Sequence, residues 1–171
     1  MEEIYHQYWE QVFDAAFKRL GDDTIAQDIT QEIFISLWEN RDTLNISTTL
    51  GAYLYGAVKY KVINYFKSDA LRAGHQEAFA LLMHEQINDA ADTRLMLRDL
   101  NQELDEALAR LPEKMGLIIS MSRKQEKSIG EISNELGLSS QTVKNQLSAA
   151  LKVMRKRLSY LLLLIICILF T

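Results

Sequence analysis

The stretch SIGEISNELGLSSQTVKNQLSAALKVMRKRL, residues 128–158, contains two apolar stripes separated by a glycine. The first stripe stops at Gly137, which can adopt the positive φ of a tight turn. Ser139 or Ser140 can then cap a longer helix. The apolar positions of the two stripes are Ile129, Ile132 and Leu136, then Val143, Leu147, Leu151, Met154 and Leu158. This pattern predicts a helix-turn-helix.

The opposite face of the longer helix is polar and carries Gln141, Lys144, Asn145, Ser148, Lys152 and Lys156. Such amide, hydroxyl and ammonium groups reach base edges and phosphates when a helix lies in the major groove of DNA. Two alternatives are a helical hairpin with a structural role and a solvated basic face. Charge favours a polyanion partner for this end, since residues 111–171 carry nine basic and four acidic side chains, against six and eleven in residues 1–70.

Three further helices are predicted near the N-terminus. Residues 4–20 repeat apolar side chains at steps of three and four, and Gly21 ends this helix. Asp22, Asp23 and Thr24 are candidate N-caps for a second helix. The second helix repeats Ile25, Ile29, Ile33 and Leu37, and the third carries Leu54, Val58, Val62 and Tyr65 on one face. We therefore expect an all-α protein of two small helical domains joined by a linker.

The expected boundaries follow from where this periodicity weakens and resumes. The first helical domain covers residues 1–68, and a weakly periodic, acidic linker covers 69–98. The second domain covers 99–158, where periodicity resumes at Leu104, Leu108 and Leu111 and a helix should stop near Pro112. An apolar tail covers 159–171.

Composition and motifs exclude several classes of function. Cys167 is the only cysteine, which excludes an internal disulfide and a zinc site of paired cysteines. The chain contains no HExxH, no glycine-rich phosphate loop and no GxSxG. We expect no enzyme, no catalytic residue, no cofactor and no metal site. The N-terminus lacks the pattern of a secretory signal, so a cytoplasmic protein is expected.

The third predicted helix offers a second candidate surface for nucleic acid. Four of the seven tyrosines lie in it, interleaved with Lys59, Lys61 and Lys67. Aromatic faces can stack on unpaired bases while lysines follow phosphates, which suits single-stranded DNA. Core packing is the competing interpretation. It is favoured for Tyr53 and Tyr65 but not for Tyr55 and Tyr60, which lie off the apolar stripe.

Three motifs in this order resemble extracytoplasmic-function sigma factors, the compact two-domain branch of the sigma-70 family. They are DITQEIFISLWENRD (28–42), GAYLYGAVKYKVINYFKS (51–68) and the helix-turn-helix. The resemblance implies that the first domain binds core RNA polymerase and the melted minus-ten element. It implies that the second domain reads the minus-thirty-five element as duplex.

The resemblance also implies roles for individual residues. Polymerase binding falls on Asp28, Gln31, Glu32 and Trp38, and minus-ten contacts fall on Tyr55, Lys59, Tyr60 and Asn64. Duplex contacts fall on Ser139, Ser140, Gln141, Thr142, Lys144, Asn145 and Ser148, and Lys152 is expected at phosphate. Many members have an Arg-Asn pair at Lys59-Tyr60 and an Asp at Asn64, so promoter preference should differ. Ser133 replaces the usual alanine, an exchange that suits the helix if its hydroxyl bonds back to it.

The expected partners are core RNA polymerase, promoter DNA and an anti-sigma factor, which the family often has. The alternative function is an ordinary dimeric helix-turn-helix regulator, for which residues 28–38 would be only a surface helix. A membrane-anchored adaptor is a third, motivated only by the tail. The apolar residues 160–170 would span about 16 Å as a helix, against ~30 Å of hydrocarbon, so we expect no transmembrane span. The tail is expected to dock within the fold, on a partner protein or at a membrane surface.

Overall fold

A computed structural model describes residues 2–72 and 105–157 of the chain. Both ranges are built of helices, and neither contains a strand, which confirms the all-α prediction. The apolar tail and most of the predicted linker lie outside the described residues. The boundaries at residues 68 and 98 stay predictions. Within the described ranges, no helix has the length and apolar character needed to cross a membrane.

Three helices form an N-terminal lobe: α1 (Glu2–Leu20), α2 (Asp23–Glu39) and α3 (Leu50–Arg72). Gly21 ends α1 as predicted. Its φ of 64° is accessible to glycine but costly for a residue that carries a side chain. Asp22 then caps α2, because its carboxylate accepts the N–H of Ile25 at 3.0 Å. The tight turn brings α2 back against α1.

The core of this lobe takes one apolar stripe from each helix, as the periodicity predicts. It contains Phe17 and Leu20 from α1, Ile29, Ile33 and Leu37 from α2, and Leu54, Val58 and Val62 from α3. Phe66, which the sequence pattern did not single out, continues the stripe of α3 and is 4% exposed. Tyr65 lies beside it, partly buried and edge-on to its ring. The sequence pattern selected Tyr65 instead of Phe66, because a helical period of 3.6 residues permits a step of either three or four after Val62.

The C-terminal lobe contains α4 (Glu113–Arg123), α5 (Ile129–Leu136) and α6 (Ser140–Arg157), preceded by helical residues 105–109. The expected stop lies just before Pro112, which stands immediately N-terminal to α4. Helix α4 was not predicted, since its consecutive apolar residues form no clear stripe. In the structure Ile118 and Ile119 are buried, whereas Leu117 is 47% exposed.

Helices α5 and α6 form the predicted helix-turn-helix. Gly137 has a φ of 62° in the turn between them, as expected. Ser139, rather than Ser140, caps α6, because its hydroxyl accepts the N–H of Thr142 at 3.0 Å. Buried Ile132, Val143 and Leu147 hold the two helices together.

Two serines stabilise α5 in ways that the sequence did not reveal. Ser128 forms a capping box with Glu131, in which each side chain accepts the other residue's N–H. A bond back to its own helix is the condition under which Ser133 suits that helix, but in the structure its hydroxyl donates forward to the carbonyl of Leu138 at 2.6 Å. This bond ties the end of α5 to the turn.

The two lobes are in direct contact. Helix α1 packs against α6, and buried side chains of both lobes form one continuous cluster. The corner at Gly21, where α1 ends and α2 begins, lies against the longer helix of the helix-turn-helix, because a Cβ at Gly21 would lie 2.8 Å from a methyl carbon of Leu151.

Candidate protein-binding and nucleic-acid interfaces

The outward face of α2 carries all the residues expected to bind polymerase. Asp28, Gln31, Glu32 and Trp38 are exposed, as predicted, while the isoleucines at 29 and 33 are buried. Helical periodicity places them there because the apolar positions recur every four residues. The face therefore combines three polar side chains with an indole that is 50% exposed.

Neighbouring side chains orient this face. Arg41 places its guanidinium 4.2 Å from the centre of the Trp38 ring and donates to the Trp38 carbonyl at 2.8 Å. Lys61 of α3 pairs with Glu32 at 2.9 Å. Ile35 adds a second exposed apolar group, 56% exposed. Sequence reasoning did not assign these three residues to this face and named Lys61 only as a candidate phosphate contact, although the position of Ile35 off the apolar stripe was a signal for it.

The expected minus-ten residues lie on α3 in two separate rows. Tyr55 and Lys59 stand one helical turn apart, and so do Tyr60 and Asn64. At about 100° per residue, Tyr55 and Tyr60 point roughly 140° apart around the helix. Both rings are exposed, at 45% and 66%. The structure therefore does not bring the four residues together on one face.

The candidate duplex-reading residues occupy the first turns of α6. Gln141 and Asn145 are exposed, and the Gln141 amide donates to the Asn145 side-chain oxygen at 3.0 Å. Lys152 is exposed on the same side, about two turns beyond Asn145. Ser139 and Thr142 pair through their hydroxyls at 2.8 Å at the helix start, beside exposed Ser140. These groups lie where an α-helix presents side chains to a major groove.

Lys144 lies differently from its neighbours. Its side chain is 19% exposed, and its ammonium bonds the Asp23 carboxylate at 2.7 Å. The same ammonium lies 5.3 Å and 5.8 Å from the ring centres of Phe13 and Phe17. Ser148, one turn further along, is half-buried. In this arrangement the two residues face the N-terminal lobe instead of solvent.

A cavity of about 730 Å³ lies between the lobes, bordered by charged side chains of both signs. Asp14 lies in it, 7% exposed, and accepts the N–H of Ile129 at 2.9 Å. Burial raises the pKa of Asp14 even though that hydrogen bond opposes the rise. Burial lowers the pKa of Lys18 nearby. The described residues contain no group of three potential ligands that could hold a metal ion.

The pKa of Glu131, at the start of α5, is lowered, whereas that of Asp14 is raised. The Glu131 carboxylate accepts both the N–H and the hydroxyl of Ser128, and these bonds lower the pKa of Glu131. Glu131 therefore stays ionised in the capping box, where its charge also suits the N-terminus of a helix.

Comparison with known proteins finds similarity over both lobes. Residues 4–72 match the family model of sigma-70 region 2, and residues 101–154 match that of sigma-70 region 4. The ECF RNA polymerase sigma factor SigW of Bacillus subtilis is 25% identical over 167 residues, 91% of this chain and 87% of that protein. SigF of Caulobacter vibrioides is 26% identical over 77% of this chain and 70% of its own. SigL of Mycobacterium tuberculosis is 24% identical over 94% and 90%.

Proposed function

The chain belongs to the extracytoplasmic-function branch of the sigma-70 family and is an RNA polymerase sigma factor, and we propose that its two lobes divide promoter recognition between them. In this proposal the N-terminal lobe binds core polymerase through α2 and melted minus-ten DNA through α3. The C-terminal lobe inserts α6 into the major groove of the minus-thirty-five element. The protein works by binding, and it does so where polymerase and DNA are, in the cytoplasm.

The exposed face of α2 is the observation that carries the polymerase assignment. Trp38 is a large apolar side chain that the fold leaves half in water, and such residues are typical anchors of protein interfaces. Asp28, Gln31 and Glu32 lie roughly two to three turns earlier on the same helix and carry groups that can fix the register of a partner. A folding role alone would not require an exposed indole at this position.

The DNA assignments rest on chemistry and placement. The exposed amides of Gln141 and Asn145 match the donor and acceptor pattern of adenine, whereas Lys152 matches phosphate. Tyr60 and Asn64 form the more exposed row of α3, so we propose them as the main contacts to unpaired bases. Tyr55 and Lys59 would contact the melted strand from the second row of the helix.

An ordinary helix-turn-helix regulator is not favoured, because residues 4–72 match a region that such a regulator does not need. A pull-down with core polymerase followed by run-off transcription separates the two functions. A sigma factor should bind core polymerase and start transcripts at defined promoters. A protein that binds duplex DNA but never associates with core polymerase would contradict the proposal.

We further propose an anti-sigma factor as partner and a docking role for the apolar tail, in its own fold, on a partner protein or at an anionic membrane surface. Deleting residues 160–171 should raise affinity for polymerase or DNA if docking within the fold is inhibitory. Co-sedimentation with anionic vesicles that is lost on truncation would favour the membrane instead. A folded truncation with unchanged binding would leave the docking role within the fold unsupported.

A further inference from the structure

We propose that the apolar tail docks on an apolar patch of the N-terminal lobe, formed by Tyr5, Ile35 and Trp38, and competes there with core polymerase. The inference rests on the proposed function in one respect, the assignment of the α2 face to polymerase. It goes beyond that function because it commits the tail to one surface of its own chain. The docking itself stands on the chemistry of the patch and of the tail.

The patch lies where the first turns of α1 meet the last turns of α2. The Tyr5 ring contacts the rings of Trp9 and Phe34, with 4.9 Å and 5.1 Å between ring centres. Trp38 follows Phe34 by one helical turn, and Ile35 lies on the outward side of that turn. Tyr5, Ile35 and Trp38 are 37%, 56% and 50% exposed. Neighbouring apolar side chains left in water in this way mark an interaction surface.

Three other large apolar side chains that the structure leaves exposed lie apart from one another. Tyr55 borders the cavity between the lobes, and Tyr60 points roughly 140° away from it around α3. Leu117 belongs to α4 in the C-terminal lobe. Among these exposed groups of the described residues, the patch therefore offers an apolar segment the broadest cover.

The apolar tail fits the patch because it is uncharged. Residues 158–171 contain no charged side chain, and residues 160–170 are all apolar. A second copy of the chain fits less well, because a symmetric contact places each patch on its own counterpart. The exposed carboxylates of Asp28, Glu32 and Glu39 would then face one another across the contact and repel. An uncharged segment meets the same apolar surface without that repulsion.

The tail is long enough to reach the patch. Helix α6 ends at Arg157, and Arg155 donates to the carbonyl of Leu20, the last residue of α1, at 2.6 Å. Tyr5 precedes Leu20 by fifteen residues, roughly 22 Å along α1 at about 1.5 Å per residue. The fourteen residues 158–171 span about 21 Å as a helix and up to about 46 Å when extended. An extended segment therefore passes the patch, and a helical one just reaches it.

Competition with polymerase follows because Trp38 belongs to both surfaces. A docked tail covers the indole that we assign to polymerase, so polymerase binds only those molecules in which the tail is undocked. The apparent affinity for polymerase is then the intrinsic affinity multiplied by the undocked fraction. If about one molecule in ten is undocked, polymerase binds about tenfold more weakly than it binds a chain without docking.

Fluorescence of Trp38 measures docking in the full chain without polymerase. Trp9→Phe removes the other tryptophan, so acrylamide quenching reports the exposure of Trp38 alone. In that background Leu163→Lys/Ile166→Lys places charges in the tail, which are costly to bury on an apolar surface. We expect the Trp38 emission to shift to longer wavelength and its quenching constant to rise about twofold, because the indole loses its cover.

Ala109→Lys/Leu117→Lys is the matched control, because it adds two charges at exposed positions of the C-terminal lobe. Circular dichroism checks that each variant keeps its helical content. Unchanged quenching in the tail variant, or the same change in the control, would overturn docking on this patch. Protection of Trp38 that depends on protein concentration would assign the patch to a second copy and would also overturn the proposal.

Titration of labelled core polymerase tests the competition. With both tryptophans present, Leu163→Lys/Ile166→Lys should bind polymerase roughly two- to tenfold more tightly than the unaltered chain, and the control variant should bind as the unaltered chain does. A change in Trp38 quenching without any gain in polymerase affinity would refute the polymerase assignment of the α2 face and leave the docking standing. A gain in affinity with unchanged quenching would overturn docking at Trp38.

Discussion

Replacing Trp38 by alanine should remove much of the affinity for core polymerase and little of the stability of the fold. A tryptophan side chain can bury about 200 Å², and half of this one is exposed, which leaves roughly 100 Å² for a partner. At ~25 cal/mol per Å² this area is worth about 2.5 kcal/mol, or roughly 60-fold in the dissociation constant. Glu32→Ala should cost roughly a further tenfold if its carboxylate is bound.

Titration of labelled core polymerase with the full-length variants measures these affinities, and circular dichroism checks that helical content is unchanged. Lys61→Ala is the matched control for Glu32, because it breaks the same exposed ion pair but leaves the carboxylate in place. If Lys61→Ala weakens binding as much as Glu32→Ala, the carboxylate acts only through that pair. A folded Trp38→Ala/Glu32→Ala double variant with unchanged affinity would refute the assignment of this face.

Three other perturbations test the site and the fold. Gln141→Ala should change the order of preference among mutated promoters, whereas Lys152→Ala should weaken all of them and make the salt slope shallower by roughly 0.9; identical discrimination profiles would contradict this division. Asp14→Asn keeps an acceptor for the Ile129 N–H without a buried charge. Because burial raises the pKa of Asp14 above its ordinary value of 3.8, the stability gained from its protonation is lost as pH rises through the raised pKa. Urea melts should therefore show the variant gaining on the wild type as pH rises above that ordinary value, and a constant difference would refute the buried-charge argument. Ser128→Ala should cost about 1 kcal/mol in the same melts by removing the cap of α5, and an unchanged midpoint would show that the cap is not needed.

Sequence reasoning missed α4 but succeeded for the buried face of α2 and for two of the turns. The step of four from Ile29 to Ile33 predicts which face of α2 is buried and therefore leaves Trp38 outside. Gly21 and Gly137 predict two turns because positive φ is cheap only for glycine. These features depend on residues a few positions apart, so a pattern along the chain contains them.

Contacts between residues that are far apart in the sequence could not be predicted from the sequence. A lysine on the polar face of α6 has the same pattern whether it faces water or an aspartate, and Asp23 is 121 residues away from Lys144. Asp14 is similar: its acceptor role depends on the N–H of Ile129, which any residue other than proline would supply. Periodicity identifies faces, and only the packing of the lobes determines what each face meets.

Both tryptophans of the chain, Trp9 and Trp38, belong to the N-terminal lobe. Trp9 is partly buried against Tyr5, Phe13 and Phe34, with ring centres 4.9–6.5 Å apart. Indole fluorescence therefore reports on the N-terminal lobe, because the helix-turn-helix contains no tryptophan, whereas far-ultraviolet circular dichroism records the helices of both lobes. Denaturation curves from the two signals will superimpose only if the lobes unfold as one cooperative unit. With Trp38→Phe, the emission comes from Trp9 alone. Ellipticity that is lost at lower denaturant concentration than the change in Trp9 emission then belongs to helices outside the surroundings of Trp9.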